Sequence, residues 1–271
     1  MMLPYYRVTQ ADIIIQSFDK FIGEAVSPRV LTNHIRKIAG QETVITIARD
    51  AQVDKNSIIL NAFYDPDEDE IGNKPFEVCL LFNPEDSSVN MNREDMREFA
   101  GKLIEYLEHE MIHRAQYQSR NYRANRMYRS LAEDPVTRQQ QEYLGNADEI
   151  EAYAANLASE LQRKTSNYEQ TLRLLRNFAT TAMSRDQAGR LLSPNLYAYF
   201  KEFGFNTTHP VLKRLLKKTY QYVQHQKKTA ERTQRVADRN QKIQSDTDRF
   251  LERTRSLDKD PNTSYTVIVD R

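Results

Sequence analysis

Hydrophobic positions in the first forty residues are spaced three and four apart in two successive stripes. One stripe covers residues 13–22 and the other covers residues 30–38. Positions with this spacing share one face of a helix, so the pattern predicts two amphipathic helices. Ser27-Pro28 supplies a start signal for the second helix, and Gly40 ends it.

The pattern then changes to three runs rich in β-branched and aromatic residues. They cover residues 43–48, 57–64 and 75–83, and we expect each run to form a strand of one small sheet. The acidic connector at 65–74 has the composition of a solvated turn. From residue 93 onward the chain returns to helical spacing. This helical pattern is broken at dipeptides that begin at Asp134, Gly145, Ser193 and His209.

The segment from residue 211 to residue 260 has no glycine or proline and is rich in lysine, arginine and glutamine. Its hydrophobic residues recur at seven-residue steps along two adjacent lines, namely Leu215, Tyr222, Val236, Ile243 and Phe250, and Leu216, Val223, Ala230, Ala237 and Leu251. This narrow seam predicts a long helix that lies along the body of the protein or pairs with a second copy of itself. A basic arm that binds an acidic partner or nucleic acid is the alternative, and Glu231 and Asp238 argue against it.

Composition and charge exclude several classes of protein. The chain has 271 residues and a formal net charge of +1, which gives no reason to expect a nucleic-acid or membrane partner. Its one cysteine, Cys79, excludes an internal disulfide and fits a reducing compartment. Arg7, Gln10 and Asp12 interrupt the hydrophobic residues near the N-terminus, so we expect no signal peptide. With no run long enough to span a bilayer, these features predict a soluble cytoplasmic protein.

Two histidines four residues apart, His109 and His113, enclose Glu110 in the sequence HEMIH. Side chains at i and i+4 of a helix project from one side about one turn apart, so both imidazoles can reach one zinc ion. A glutamate directly after the first histidine points toward a water molecule on that ion and can act as its general base. The surrounding residues 94–118 contain no proline and favour a helix.

The alternative is that both histidines are ordinary residues of an amphipathic helix. The main hydrophobic stripe of this helix consists of Leu103, Ile104, Leu107 and Met111. His109 and His113 fall on nearly the opposite side, so they do not extend that stripe. A third ligand is therefore what decides between a metal site and a charged helix surface.

The segment 143–161 contains a further predicted helix, which begins at the N-cap Asn146 and offers two carboxylates as third ligand. Glu151 shares its side with Ala155 and Ala158, whose small side chains allow another helix to approach closely. Glu149 shares its side with polar residues that indicate a more solvated surface, namely Tyr153, Asn156 and Glu160. Because a ligand must come close to the metal, Glu151 is favoured. Glu149 is the alternative, and whichever carboxylate is not the ligand can hydrogen-bond a histidine.

The sequence HEMIH, followed some forty residues later by a helix with Glu-x-x-Ala, resembles the gluzincin zinc metallopeptidases. The piece EAYA at 151–154 is similar to the third-ligand helix of the lethal-factor-like and Pro-Pro endopeptidase branch. The resemblance covers residues 93–161. It implies a zincin-like domain whose sheet packs on the active-site helix and pairs through its edge strand with a protein or peptide substrate. Such a motif pair in otherwise unfamiliar sequence also resembles phage-encoded proteins.

A tyrosine that stabilises the oxyanion precedes the ligand glutamate in that branch. Tyr143 stands eight residues before Glu151, one more than the branch has, and is the matching candidate. The resemblance therefore implies a zinc metalloendopeptidase with His109, His113 and Glu151 as ligands, Glu110 as general base and Tyr143 as oxyanion donor.

These patterns predict an α+β chain in three segments. Residues 1–40 are an N-terminal helical segment, 41–205 a zincin-like catalytic domain, and 206–271 a long basic helix followed by a strand at 264–271. The alternative function is that of a structural or assembly protein. Its zinc site would be vestigial or structural, and its C-terminal helix would act by self-association or docking.

Overall fold

The computed structural model describes residues 8–165, 167–180 and 194–257. It confirms an α+β chain that is mostly helical with a small sheet. The helices are α1 (Val8–Ser17), α2 (Pro28–Ala39), α3 (Pro66–Glu70), α4 (Arg93–Ser119), α5 (Pro135–Gly145), α6 (Ala147–Thr165), α7 (Tyr168–Thr180), α8 (Pro194–Glu202) and α9 (Pro210–Leu257). The strands are β1 (Ala25–Val26), β2 (Thr43–Arg49), β3 (Ile58–Tyr64), β4 (Phe76–Phe82) and β5 (Val89–Asn90). No helix within the described ranges has the length and apolar composition needed to cross a bilayer.

The larger sheet has three strands in the order β2-β4-β3. Strand β4 lies in the centre, parallel to β2 and antiparallel to β3, with Phe76 opposite Thr43 on one side and Tyr64 on the other. The sequence predicts that the run 75–83 belongs to this sheet, and the structure confirms it. That run is the central strand, however, and β3 is the edge strand beside α4.

The main hydrophobic core lies between the sheet and helices α1, α2 and α4. Alternate residues of β4 point into it, as expected for a strand with one covered face. The core combines the following side chains: Phe18, Phe21, Leu31, Ile35, Leu60, Val78, Leu80, Phe82, Met96, Phe99 and Leu103. Because the two N-terminal helices contribute to the same core as the sheet, they belong to the same compact unit as the sheet.

The described residues form two compact units, and the division between them along the chain lies after the predicted boundaries. One unit ends at Tyr222 and the other begins at Val223. The helices of the predicted N-terminal segment at 1–40 share the sheet's core. The first turns of α9, which lie beyond the predicted boundary near 205 and have Leu212 and Leu215 fully buried, belong to the first unit. The predicted strand at 264–271 lies outside the described residues.

Helix α4 is buried on two sides. Asn92 caps its N-terminus by accepting hydrogen bonds from the backbone N–H groups of Glu94 and Asp95. Its predicted hydrophobic stripe packs on the sheet side, where Leu103 is fully buried. The opposite side is covered by α6, where Ile112 packs against Ala152 and Ala155. The predicted histidine side therefore faces a second helix and not solvent.

The acidic connector before β4 is folded, and only part of it is solvated. Asp65 caps the short helix α3, and Asp69 at its end is buried. The Asp69 carboxylate accepts hydrogen bonds from Tyr64, Tyr122 and Gln118 and pairs with Arg114 at 2.8 Å. These contacts join the second half of α4 to the β3–β4 connection and hold the edge strand beside the candidate site.

Candidate metal centre

His109 and His113 project from one side of α4 toward α6, one helical turn apart. Their ring centroids are 4.7 Å apart. His109 is buried, with 6% of its surface exposed, and His113 is half-buried. The helix over residues 94–118 and the common direction of both imidazoles were predicted from sequence, and the structure has both features.

The carboxylate that faces the two histidines is that of Glu149, in the first turn of α6. Its Oε2 lies 3.4 Å from Nε2 of His109, and its Oε1 lies 3.3 Å from Nε2 of His113. One ligand atom from each residue can be chosen so that all three lie within 4.8 Å of one another. Among the described residues, this is the group of histidine, cysteine and carboxylate side chains whose spacing suits a metal ion.

The preference for Glu151 over Glu149 is wrong in this structure. Glu151 points toward α9, where it accepts a hydrogen bond from the Tyr222 hydroxyl at 2.6 Å and pairs with Lys218 at 2.5 Å. The small alanines beside Glu151 do allow close approach, but it is Ile112 of α4 and Tyr222 of α9 that approach there.

The side of α6 that carries Glu149 is buried, contrary to the sequence prediction. Asn156 and Glu160 on this side are 3% and 7% exposed. They face the polar side of α4, so they are covered by protein although they are polar. Polarity was a misleading signal here because the opposing helix is itself polar.

The charges of the three side chains are strongly coupled. Burial lowers the pKa of His109 and outweighs the effect of Glu149. Burial also disfavours charge on His113, but hydrogen bonding and attraction to Glu149 outweigh it and raise the pKa of His113. The pKa of Glu149 would be raised by burial, yet the two imidazoles lower it to about 2. The cluster thus holds an ionised carboxylate beside imidazoles, as a metal requires.

The other nitrogen of each imidazole is held by an amide side chain. Nδ1 of His113 lies 2.9 Å from Oε1 of Gln116, whose Nε2 donates to the backbone oxygen of Asp148 at 3.1 Å. Nδ1 of His109 lies 3.3 Å from the Asn156 amide. Histidines that bind metals through Nε2 usually have such a partner on Nδ1, because it fixes the ring and its tautomer.

Gln116 also links the two ligand-bearing helices. Its Asp148 contact lies next to Glu149, and the Asp148 carboxylate forms a two-bond ion pair with Arg120 at the end of α4. Asn125 adds a third hydrogen bond to that carboxylate. The start of α6, and with it Glu149, is therefore fixed relative to His113.

Two buried oxygen atoms support a metal at this site. Among the described residues, Glu149 Oε2 has only the long 3.4 Å approach of His109 Nε2, which does not have hydrogen-bond geometry, and Asn156 Oδ1 has no hydrogen-bond partner. A cation between the Nε2 atoms and the carboxylate would satisfy the first. Metal binding through Nε2 leaves an N–H on Nδ1 of His109, and a half-turn of the Asn156 amide would offer Oδ1 to it as acceptor. The donor set of two imidazoles and one carboxylate is typical of catalytic zinc.

Glu110 lies beside the cluster on the sheet side of α4. It is half-buried, and the backbone of Tyr64, at the end of the edge strand, hydrogen-bonds to it. Burial and the nearby Glu149 carboxylate raise the pKa of Glu110 to about 7, against the opposing effect of His113. A carboxylate with such a pKa can both accept and release a proton near neutral pH.

Tyr143, the predicted oxyanion donor, stands at the end of α5 close to the cluster. Its side chain interacts with Glu149 and with Tyr153. Burial and the Glu149 carboxylate raise the pKa of Tyr143, so its hydroxyl stays protonated and can donate a hydrogen bond. The structure thus brings Tyr143 together with His109, Glu110 and His113, and leaves out only Glu151.

Three residues at the site were not singled out from sequence. Tyr153 lies with its ring centroid 4.7 Å from that of His109, and burial raises its pKa. Gln116 and Asn156 hold the Nδ1 atoms. Helical phase was the signal that could have found them, because Gln116 is three residues after His113, and Tyr153 and Asn156 are four and seven after Glu149.

Comparisons of this chain with protein-family models, with curated proteins and with solved structures gave no significant match. The function is therefore argued from the geometry of the site.

Proposed function

We propose that this chain is a zinc metallopeptidase of the gluzincin type that hydrolyses peptide bonds in a protein substrate. The observation that carries the proposal is the convergence of His109, His113 and Glu149 around one point, with Glu110 beside them. Both imidazoles also have an amide partner on Nδ1, which is the usual arrangement of histidines that bind a metal through Nε2. His109, His113 and Glu149 would hold the zinc.

Zinc held by His109, His113 and Glu149 would supply a Lewis acid that polarises the substrate carbonyl and lowers the pKa of a water molecule. Glu110 takes the proton from the attacking water and passes it to the leaving amine. Its half-buried position suits both roles because the carboxylate lies close to His113 and Glu149. The Tyr64 backbone contact orients the Glu110 carboxylate toward the cluster.

Tyr143 and Tyr153 are the hydrogen-bond donors next to the reacting carbonyl. Tyr143 interacts with Glu149 and Tyr153, and the Tyr153 ring packs on His109. A protonated phenol can donate to the oxygen of the tetrahedral intermediate, where negative charge develops. We assign this role to Tyr143 and a supporting role to Tyr153, which orients Tyr143 through their hydroxyl contact.

The substrate lies along strand β3. Among the strands that the structure describes, β3 pairs with β4 alone, and its last residue, Tyr64, contacts Glu110. An extended peptide that adds to this edge by backbone hydrogen bonds would run toward the cluster. Backbone pairing supplies affinity without choosing a sequence, so side-chain preference depends on the surfaces around the site.

The test compares the zinc-loaded wild type with Glu110→Gln on a peptide library prepared from a digested proteome, with new termini read by mass spectrometry. We expect cleavage by the wild type and none by Glu110→Gln, which keeps its fold and its zinc. His113→Ala should lose both zinc and cleavage. Glu108→Gln, a neighbouring change on the same helix, is the control that keeps zinc and cleavage.

The proposal is wrong if wild type and Glu110→Gln give the same cleavage pattern, or if neither releases termini beyond those of the buffer control. Zinc content measured on the same samples separates loss of metal from loss of chemistry.

A further inference from the structure

The part of α9 from residue 230 to residue 252 carries a seven-residue repeat in which one side is free of charge. Ten of the 22 residues from 231 to 252 are charged. None of the ten falls on three adjacent lines of the helix, which are Thr233, Asn240 and Thr247; Val236, Ile243 and Phe250; and Ala230, Ala237, Gln244 and Leu251. In heptad notation these lines are positions a, d and e. This distribution is that of a coiled-coil helix, with a seam on one side and charges elsewhere.

The seam is exposed in the single chain. Val236 and Ile243 are 53% and 55% exposed, more than half of a large hydrophobic side chain each. Residues 228–252 are exposed throughout. Most of the stability of a helix in a protein comes from packing its apolar face against another element, and this seam has no such cover in the single chain.

The threonines of position a contribute apolar surface to the seam. The hydroxyls of Thr233 and Thr247 donate to the backbone oxygens of Thr229 and Ile243, at 3.0 and 2.9 Å. Because these hydroxyls already have partners within the helix, packing against another helix would not leave them unsatisfied. Their methyl groups remain available for contact.

We propose that this seam pairs with the same seam of a second copy of the chain in a parallel, in-register coiled coil. In a parallel pair, position g faces position e of the other copy. Arg232 and Arg239 at g would then face Ala237 and Gln244 of the second copy, so no charge meets a like charge. This interaction goes beyond the proposed peptidase activity and needs no metal.

Asn240 favours the parallel, in-register arrangement. It lies at position a, where in-register copies place the two amides opposite each other and able to hydrogen-bond. In an antiparallel pair, position a faces position d, and Asn240 would meet a hydrophobic residue such as Ile243 with its amide unsatisfied.

Two other occupants fit the charges less well. An acidic helix would find arginines on one flank of the seam only, because position e is uncharged. Nucleic acid would meet Glu231, Asp238 and Glu252 interspersed with the basic residues of the outer surface. A second copy covers the seam with the same uncharged surface and places no like charges opposite each other on either flank.

The first experiment is sedimentation velocity of the full-length protein at several concentrations up to roughly 100 μM, where even a Kd of ~10 μM gives mostly dimer. The wild type should sediment as a dimer, and Ile243→Asp as a monomer. Lys242→Asp, the adjacent residue at outer position c, should remain a dimer. Ile243→Ala keeps helix propensity and should weaken dimerisation at least tenfold, which separates loss of the seam from loss of the helix. A monomeric wild type, or a dimeric Ile243→Asp, would overturn the proposal.

A second experiment tests the orientation in a Cys79→Ser background. A disulfide needs Cα atoms within about 7 Å, which in-register d positions meet and outer positions do not. Ile243→Cys should therefore oxidise to a covalent dimer, whereas Lys242→Cys should not. A dimer in which Ile243→Cys fails to cross-link contradicts the parallel pair. Zinc content is measured in parallel and should be unchanged, so this result and that of the peptidase test are independent.

Discussion

Helices α4 and α9 are both long and rich in polar residues, but the structure surrounds those residues differently. Polar side chains of α4, such as Glu105 and His109, are buried between the sheet and α6. Residues 228–252 of α9 are exposed, and hydrogen bonds such as those from Gln234 to Asp238 and from Gln244 to Asp248 run within the helix. Hydrogen bonds and ion pairs to other elements therefore hold the polar side chains of α4 in place. This part of α9 instead repeats the same type of residue every seven positions, which suits packing against a helix with the same repeat.

The difference shows what makes a polar helix a site and what makes it an interface. A site needs atoms held at fixed distances, and α4 achieves this through partners on α3, α6 and the edge strand. An interface needs a repeated surface of one kind, and α9 presents one. Substitutions in α4 should therefore change the free energy of unfolding or the affinity for zinc. Substitutions in the exposed part of α9 should change self-association.

The largest expected effect is on the core contact of α4. Leu103→Ala removes a fully buried side chain that packs beside Val78 and Leu80, and should lower the free energy of unfolding by about 3 kcal/mol. Urea denaturation followed by tyrosine fluorescence measures it. Val236→Ala on α9 is the matched change and should alter that transition by less than about 0.5 kcal/mol while weakening self-association. Equal destabilisation by both variants would refute the contrast.

A smaller effect is expected for the buried carboxylate that joins α4 to α3. Burial alone would raise the pKa of Asp69, but hydrogen bonds from Arg114 and Tyr64 outweigh it, so the pKa lies below 3.8. A lowered pKa means that the carboxylate adds stability above the unfolded-state pKa and loses it as pH falls through the folded-state value. Asp69→Asn should cost about 2 kcal/mol at pH 7, measured by urea denaturation.

The difference between wild type and Asp69→Asn should shrink below about pH 4, where the unfolded-state carboxylate takes up protons while the native one stays ionised. Asp246→Asn, in an exposed pair with Arg249 on α9, is the control and should change stability by less than about 0.5 kcal/mol at either pH. If the stability difference between wild type and Asp69→Asn grew on acidification, the pKa of Asp69 would be raised and not lowered in the folded protein.

The smallest effect is expected from the amide that holds His113. Gln116→Ala leaves all three ligands in place but frees the His113 ring and the Asp148 end of α6. Zinc affinity, measured by competition with a chromophoric chelator, should fall about tenfold, which is about 1.4 kcal/mol. Gln241→Ala at an outer position of α9 should leave the affinity unchanged. An unchanged affinity in Gln116→Ala would mean that the amide does not position the ligand.

Much of this fold follows from local pattern. The second N-terminal helix, the three strands and the helix of HEMIH are present where spacing and residue type predict them. The first helix, predicted from the stripe at 13–22, ends at Ser17, and Asp19–Phe21 forms a short 3-10 helix instead. The order β2-β4-β3, with one parallel and one antiparallel pair, does not follow from local pattern because it depends on which strands meet in space. The short pair β1 and β5 carries no signal, since two residues cannot show a period.

The candidate site divides in the same way. His109, Glu110 and His113 lie on one helix, so their relative placement follows from helix geometry alone. Whether Glu149 or Glu151 faces the histidines depends on which side of α6 packs on α4. From sequence, the polar residues beside Glu149 indicated that its side was solvated and that the Glu151 side packed on α4. The inference failed because buried polar residues such as Asn156 face polar partners, and a sequence shows the residue but not its partner.

The central claim is that zinc is held by His109, His113 and Glu149, and the most direct measurement is the zinc content of three purified proteins after dialysis against buffer. The wild type and Glu151→Gln should each retain one zinc per chain, because Glu151 is engaged by Lys218 and Tyr222 away from the histidines. Glu149→Gln should retain little or none while keeping its helical circular-dichroism spectrum. Zinc loss from Glu151→Gln with retention in Glu149→Gln, or a folded wild type that binds no zinc when it is supplied, would contradict the account.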